Sequence, residues 1–244
     1  MRRRQTEPDP SHTGIAIEHN NATGTVTFWQ KRLNQSTADE SGISLADYIH
    51  AMYGFIRQTK AKTVLMIGCG GGTLARMLHT KGIRVVIADI EPRAFEIARQ
   101  YFHMPEAIEC HVADGVAFLE RTKDRYEAVV LDAYGDEGIP GHFLTSKFFD
   151  LVKSKSAPRN ALFMMNIMVK SDDDRTPDRI AQTMRETWRG VRLLDAEGWI
   201  DRNAVLVAGA VSNLRRPHLL MPPSSHARKL RKELREMAFR PLRG

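Results

Sequence analysis

Ten residues constrain this 244-residue chain more than any others. The apolar run Thr63-Val64-Leu65-Met66-Ile67 breaks at Gly68-Cys69-Gly70-Gly71-Gly72, and a helical spacing of apolar residues follows from Thr73 to Thr80. A buried strand, a glycine turn and a helix start are thus written in sequence. Glycines let the backbone turn tightly and let a ligand approach the helix N-terminus, where free N–H groups and the positive dipole end favour electron-rich groups. The turn gains meaning from Asp89, which ends the next apolar run, Val85 to Ala88, 21 positions after Gly68. A carboxylate at that distance accepts hydrogen bonds from ribose hydroxyls in nucleotide sites.

Strand and helix patterns alternate from there. Pro92 to Phe102 reads as a helix with proline in its first turn, where the missing N–H costs little. Strands are expected at Ala107 to Val112, Tyr126 to Leu131 and Ala161 to Val169, with helices at Val116 to Thr122, Thr145 to Lys153 and Pro177 to Trp188. Two more β-leaning segments follow at Val191 to Leu194 and Ala204 to Val211. Apolar strands alternating with helices predict an α/β fold with a Rossmann-like, doubly wound and mostly parallel sheet. Upstream, Gly14 to Glu18 and Gly24 to Gln30 flank the turn-prone Asn20-Asn21-Ala22-Thr23 and predict a hairpin, and Ser44 to Gln58 predicts a helix. The expected organisation is a polar, disordered 1–13, a hairpin and helix over 14–60, a nucleotide-binding domain over 61–212, and a basic tail over 213–244 with a helix from Ser224 or Ser225 to about Phe239.

Charge invites a nucleic-acid reading, because the chain carries a formal +7. Nine Lys/Arg against two Glu lie in 213–244, however, and the rest of the chain is balanced. That places the charge on an amphipathic tail helix and leaves nucleic acid as an unfavoured partner. No apolar run approaches the ~18 residues of a membrane span. Acidic, proline-containing residues follow Met1-Arg2-Arg3-Arg4 where a signal peptide would be apolar, and Cys69 and Cys110 form neither a disulfide framework nor a metal cluster. A cytoplasmic location is expected. The three tryptophans, Trp29, Trp188 and Trp199, read as packing residues, and His50, His111 and His142 have no metal-ligand spacing.

Two further acidic positions sit at strand ends. Asp114, followed by Gly115, either reaches a bound adenine or caps the next helix, and these readings are evenly balanced. Asp132, Asp136 and Glu137 share one loop after the strand ending at Leu131, where mutual repulsion would be relieved by a cationic ligand or raised pKa values.

Together these motifs resemble the spermidine synthases, or polyamine aminopropyltransferases, of the Rossmann-like methyltransferase superfamily. The resemblance is clearest from Val64 to Val169 and rests on Gly68 to Thr73, Asp89-Ile90-Glu91, Asp114-Gly115, and Asp132 to Asp136 followed by Pro140 and Phe143-Leu144-Thr145; Leu33-Asn34-Gln35-Ser36 is similar to the family's hairpin end. The resemblance implies a class I methyltransferase-like fold and a metal-free transfer of an aminopropyl group from decarboxylated S-adenosylmethionine to a small cationic amine such as putrescine. It implies Gln35, Gly68, Gly70, Gly72, Asp89, Glu91, Asp114 and Gly115 around the cofactor, Asp132 as the base, and Asp136 and Glu137 on the far ammonium. A homodimer stays open.

Three departures keep alternatives in view. Gly70-Gly71-Gly72 stand where the family's loop carries an Asp, Asp132 and Asp136 are four apart instead of three, and the N-terminal β-region is short. The first favours intact S-adenosylmethionine and a methyltransferase as the alternative. A non-catalytic nucleotide-binding protein that works through its tail is the third reading.

Overall fold

The computed structural model describes residues 2–3, 14–30, 33–135 and 138–243. Its elements in chain order are β1 (Arg2–Arg3), β2 (Ile15–Asn20), β3 (Thr25–Gln30), β4 (Leu33–Asp39), α1 (Asp47–Thr59), β5 (Thr63–Ile67), α2 (Thr73–His79), β6 (Arg84–Asp89), α3 (Pro92–Phe102), β7 (Glu109–Val112), α4 (Gly115–Arg121), β8 (Ala128–Leu131), α5 (Ser146–Ser154), β9 (Leu162–Val169), α6 (Thr176–Thr187), β10 (Val191–Asp195), β11 (Trp199–Ile200), β12 (Arg202–Gly209), α7 (Ala227–Glu236) and β13 (Ala238–Arg240), with a 3-10 turn at Gly141–Leu144 before α5.

The central sheet has eight strands in the order β13-β10-β12-β9-β8-β5-β6-β7. From β7 to β9 every pairing is parallel, while β12, β10 and β13 run antiparallel to their neighbours. Strand periodicity explains the two-sided core. Val64, Met66, Val130 and Met164 face one side with α1, α2, α3 and α7, whereas Leu65, Ile67, Val129 and Met165 face the other with α4, α5 and α6. The α/β, doubly wound fold expected from sequence is the fold observed.

Differences lie at the two ends of the chain. The hairpin gains a third strand, β4, whose sequence Leu-Asn-Gln-Ser-Thr-Ala-Asp lacks the apolar alternation that marks a half-buried strand. Most of the 1–13 stretch lies outside the described residues, but Arg2 and Arg3 pair in parallel with Trp199 and Ile200. In the tail, the helix begins at Ala227 after His226 in a left-handed conformation, not at a serine cap, and ends at Glu236. Residues 238–240 then join the sheet edge as β13, so the segment set apart by its charge is built into the fold. Leu230 and Leu234 are buried against the domain. No helix among the described residues is long and apolar enough to cross a membrane.

An ion-pair network locks β13 in place. Asp195 accepts from Arg202 at 2.6 Å and from Arg240 at 3.0 Å, and Arg240 also forks onto Asp178 at 2.9 and 3.0 Å. Burial works against the charge of Asp195, yet the hydrogen bonds and charges of the two guanidiniums hold its carboxyl below the usual range. The Arg202 side chain is only 1% exposed and its other carboxylate, Asp172 at 3.1 Å, is part-exposed, so removal of Asp195 takes away the buried share of its compensation and one of the two carboxylates of Arg240. Asp195→Asn is expected to cost about 3–5 kcal/mol of unfolding free energy, measured by urea denaturation at neutral pH. Because the Asp195 pKa is depressed, its contribution is present above the unfolded carboxylate pKa and is lost as pH falls through the folded value. The deficit of the variant therefore shrinks in acid.

Candidate functional site

After β5 the chain moves outward to β6 and β7, then returns to the other side of β5 as β8. Such a reversal opens a crevice beyond the carboxyl ends of the two central strands. Parallel register pairs Ile67 with Leu131, and the Asp132 N–H donates to the Ile67 carbonyl at 2.9 Å. The next residues of the two strands therefore meet backbone to backbone. Gly68 has φ +99°, and a Cβ there would stand 2.2 Å from the Asp132 carbonyl oxygen. Only glycine fits this approach. Gly115 is under similar pressure, since its Cβ would lie 2.5 Å from the Ile67 side chain.

The glycine loop is held from two directions. Asp89 accepts the Cys69 N–H at 2.7 Å through one oxygen and the Glu91 N–H at 2.8 Å through the other. Burial raises the Asp89 pKa, against the backbone hydrogen bonds that lower it. From the other side, the Ser36 hydroxyl on β4 accepts the Gly71 N–H at 2.9 Å. The small N-terminal sheet thus packs directly on the loop and brings Gln35 to the crevice.

Glu91 and Asp114 both act as helix caps. Glu91 accepts from the Arg93 N–H and from Arg93 Nε, each at 3.2 Å, and the side-chain hydrogen bond leads in lowering its pKa. Asp114 Oδ1 accepts the N–H groups of Val116 at 2.9 Å and Ala117 at 3.3 Å, while Oδ2 lies 3.0 Å from His142 Nε2. The capping reading of Asp114 is realised, and its second oxygen still borders the crevice. Ile90, between the two acids of its motif, is 72% exposed and lines the same space, an apolar surface that the acid-centred reading passed over.

Asp132 lies deeper. Its Oδ1 accepts from Asn166 Nδ2 at 2.8 Å and its Oδ2 from the Tyr48 hydroxyl at 3.1 Å. Desolvation raises its pKa despite both bonds, and raises those of Tyr48 and Tyr134 as well. Tyr134 donates to the Asn166 carbonyl at 3.0 Å and accepts the Met168 N–H at 2.7 Å, tying the loop after β8 to β9. Asp136 and Glu137 lie outside the described residues.

Two cavities flank this carboxylate. The smaller, about 280 Å³, is lined by Asp89, Ile90, Glu91, Asp114, Pro140 and His142 among others. The larger, about 420 Å³, is bounded by Asp47, Tyr48, Asn166, Asn203, Lys229 and Glu233 among others, so α7 forms one wall. Gln35, Gly70, Asp132 and Tyr134 border both. Sequence reasoning missed Tyr48, which falls within the helix expected over Ser44 to Gln58, and Asn166. A signal for Asn166 exists: it is the one amide in the apolar run Leu162–Val169, and a polar group buried in such a strand requires a partner.

The fold and crevice define a Rossmann-like methyltransferase-type domain, and the family model described as "Methyltransferase domain" matches residues 64–137. Among curated proteins, the chain is 24% identical over 163 residues to "Probable polyamine aminopropyl transferase" of Bifidobacterium longum, covering 66% of this chain and 36% of that protein. It is 26% identical over 190 residues to "Polyamine aminopropyltransferase 2" of Pseudomonas aeruginosa (67% and 54%), and 32% identical over 128 residues to "eEF1A lysine and N-terminal methyltransferase homolog" of Drosophila melanogaster (47% and 19%). The chain thus spans from about a fifth to about a half of these relatives. A probable spermidine synthase from Corynebacterium glutamicum shares the fold at TM-score 0.73 and 18% identity, over 93% of this chain and 87% of that one. The chain thus has the Rossmann-like fold seen in that spermidine synthase and is similar over part of its length to polyamine aminopropyltransferases and to a methyltransferase homolog.

The Gly68 contact generates a test that needs no substrate. In Gly68→Ala the methyl group collides with backbone and the residue must hold a positive φ, a strain on the order of 1–3 kcal/mol. Thermal melts are expected to fall accordingly, and by more than in Gly82→Ala, where φ is +70° but a Cβ meets open space.

Proposed function

We propose that this protein is a transferase that moves the aminopropyl group of decarboxylated S-adenosylmethionine to a small polyamine such as putrescine. The observation that carries the reading is the position of Asp132, a carboxylate with a raised pKa on the seam between two cavities of unequal size. In this reading the smaller cavity takes the adenosine end of the donor. Asp89 binds the ribose hydroxyls with lone pairs left over from its two backbone bonds, Asp114 meets the adenine amine, and Ile90 offers an apolar face to the base. Gly68, Gly70, Gly115 and Gln35 shape the path toward the sulfonium, and Glu91 supports Asp89 from the start of α3; Gly72, expected beside the cofactor, borders neither cavity and instead starts α2 with its α-carbon against Met104 and Ala98. The residues present fit such a group: an exposed apolar side chain stands between two carboxylates in a concave space.

The larger cavity takes the amine. Asp132 accepts the proton that the nucleophilic nitrogen sheds as it bonds to the propyl carbon, while the carbon–sulfur bond breaks and its electrons stay on sulfur as a neutral thioether. Tyr48 and Asn166 hold the carboxylate so that it faces the seam. Asp136 and Glu137 follow on the same loop and are assigned to the far ammonium.

A specific observation favours a second reading, methyl transfer from intact S-adenosylmethionine. A Cβ on Gly71 would lie 2.8 Å from the Ser36 Cβ and 3.1 Å from the Phe102 ring, so the loop has no room for an acid that would select against an α-carboxylate. Calorimetry with the two forms of the donor separates the readings by which binds more tightly.

Incubation with decarboxylated S-adenosylmethionine and putrescine is expected to release methylthioadenosine. In Asp132→Asn the kcat is expected to fall about 10²- to 10⁴-fold while methylthioadenosine affinity stays within about twofold of the parent. The sign of the pH dependence follows from the raised pKa: protonation disables the base, so kcat/KM declines as pH falls, with a midpoint above the ordinary aspartate value of about 3.9. Absence of methylthioadenosine across a series of di- and triamines would remove the aminopropyl reading.

A further inference from the structure

We propose that Asn203 on β12 is a positioning residue that sets Asp132 through the amide of Asn166. Strand register places the pair. Asn203 stands opposite Met168 and Asn166 opposite Val205, so the two asparagines are diagonal neighbours on one face of the β9–β12 ladder. Asn203 Nδ2 donates to Asn166 Oδ1 at 2.8 Å, and Asn166 Nδ2 donates to Asp132 Oδ1 at 2.8 Å.

An asparagine amide has one accepting and one donating end. An ionised Asp132 only accepts, so the NH₂ group of Asn166 turns toward it, and the Asn203 donor satisfies the Asn166 oxygen left at the other end. The alternative flip would set oxygen against carboxylate and NH₂ against NH₂. Asn166 is 3% exposed, so solvent does not compete for either end. Its backbone is also fixed, since Tyr134 bonds the Asn166 carbonyl and the Met168 N–H. Hydrogen bonds in series polarise one another, and the first donor strengthens the second.

The chemistry of the seam gives this chain of amides its use. A base that receives a proton from an incoming amine needs one oxygen free and one held. Asn166 on β9 and Tyr48 on α1 hold Asp132 through its two oxygens, and Asn203 holds the amide that makes the first of these bonds. Other titratable groups around Asp132 are Tyr48 and Asp47 on α1, Cys69 in the glycine loop, Tyr134 on the loop after β8, His226, Lys229 and Glu233 at and on α7 across the larger cavity, and Asp89, Glu91, Asp114 and His142 across the smaller one. None of them changes when Asn203 is replaced, so a shift at Asp132 reports the amide chain. The catalytic consequence rests on the transferase reading; the geometric part does not.

The experiment uses the full chain with ¹³C-labelled aspartate, Asp132 being assigned by its loss in Asp132→Asn, and compares the parent with Asn203→Leu and Asn203→Gln. In Asn203→Leu the Asp132 carboxyl is expected to titrate at higher pH, and kcat with decarboxylated S-adenosylmethionine and putrescine to fall about tenfold, with KM within about twofold. Asn203→Gln keeps a donor, and because Asn203 borders open cavity its added methylene has space; the titration and rate are expected to return toward the parent. Should Asn203→Leu fail to fold by circular dichroism, Asn203→Ser, too short to span the gap, serves in its place. Unchanged titration of Asp132 in the variant overturns the proposal, as does loss of KM with kcat intact. If the parent yields no product but the titration moves, the amide chain stands and the transferase reading falls.

Discussion

The contact between Gly68 and the Asp132 carbonyl is the constraint on which the rest of the crevice depends. Parallel pairing of β5 with β8 drives two chain segments out of the sheet side by side, and they separate only after this point. Without a side chain at Gly68 the turn folds back over the strand tips, carries Gly70 against Gln35 and Ser36, and presents the Cys69 N–H to Asp89. One backbone approach therefore sets three relations at once: loop to ribose-type carboxylate, loop to N-terminal sheet, and both to the candidate base.

Electrostatics follow from that geometry. Asp89 and Asp132 are both raised by desolvation, but they are stabilised differently. Asp89 bonds backbone N–H groups that cannot move without the sheet, which suits a carboxylate whose task is to hold. Asp132 bonds two side chains, a phenol and an amide, and faces both cavities. A carboxylate held by neutral donors and poorly solvated keeps a higher proton affinity than one paired with a cation, as the contrast with Asp195 between two arginines shows.

Much of this was legible in the sequence, and the reasons differ by element. Helix α3 was readable to the residue because Pro92 sets its first turn and the apolar stripe ends at Phe102, before His103 turns left-handed. The central strands were readable because burial on both faces leaves continuous apolar runs. Strand β4 was not, since its pairing is made by backbone and its side chains are mostly polar. Nor was β13: the apolar stripe Ala227, Leu230, Leu234 and Met237 in helical spacing runs up to its edge, and only the capture of Arg240 by Asp178 and Asp195, distant in sequence, decides for a strand. At the site, acids at strand ends were visible because strand ends converge. Tyr48 and Asn166 were hidden because their role lies in which carboxylate they meet across the fold, information that no local spacing carries.

The tail illustrates how little net charge says by itself about partners. Its nine cations divide by task once the chain is folded: Arg240 and Arg243 are used in ion pairs with Asp178, Asp195 and Glu197, and Leu230 and Leu234 between the basic positions of α7 anchor that helix on the domain. What remains is Arg215 and Arg216 before α7 and an outward basic face on Arg228, Arg231, Lys232 and Arg235, while Lys229 and Glu233 border the larger cavity. The apolar side of α7 is consumed by the core, which removes the surface that an amphipathic helix would insert into a membrane interface. The helix therefore acts first as a wall. It lines the larger cavity together with the small N-terminal sheet, so that two peripheral elements from distant parts of the chain complete a pocket around a carboxylate that the central sheet positions.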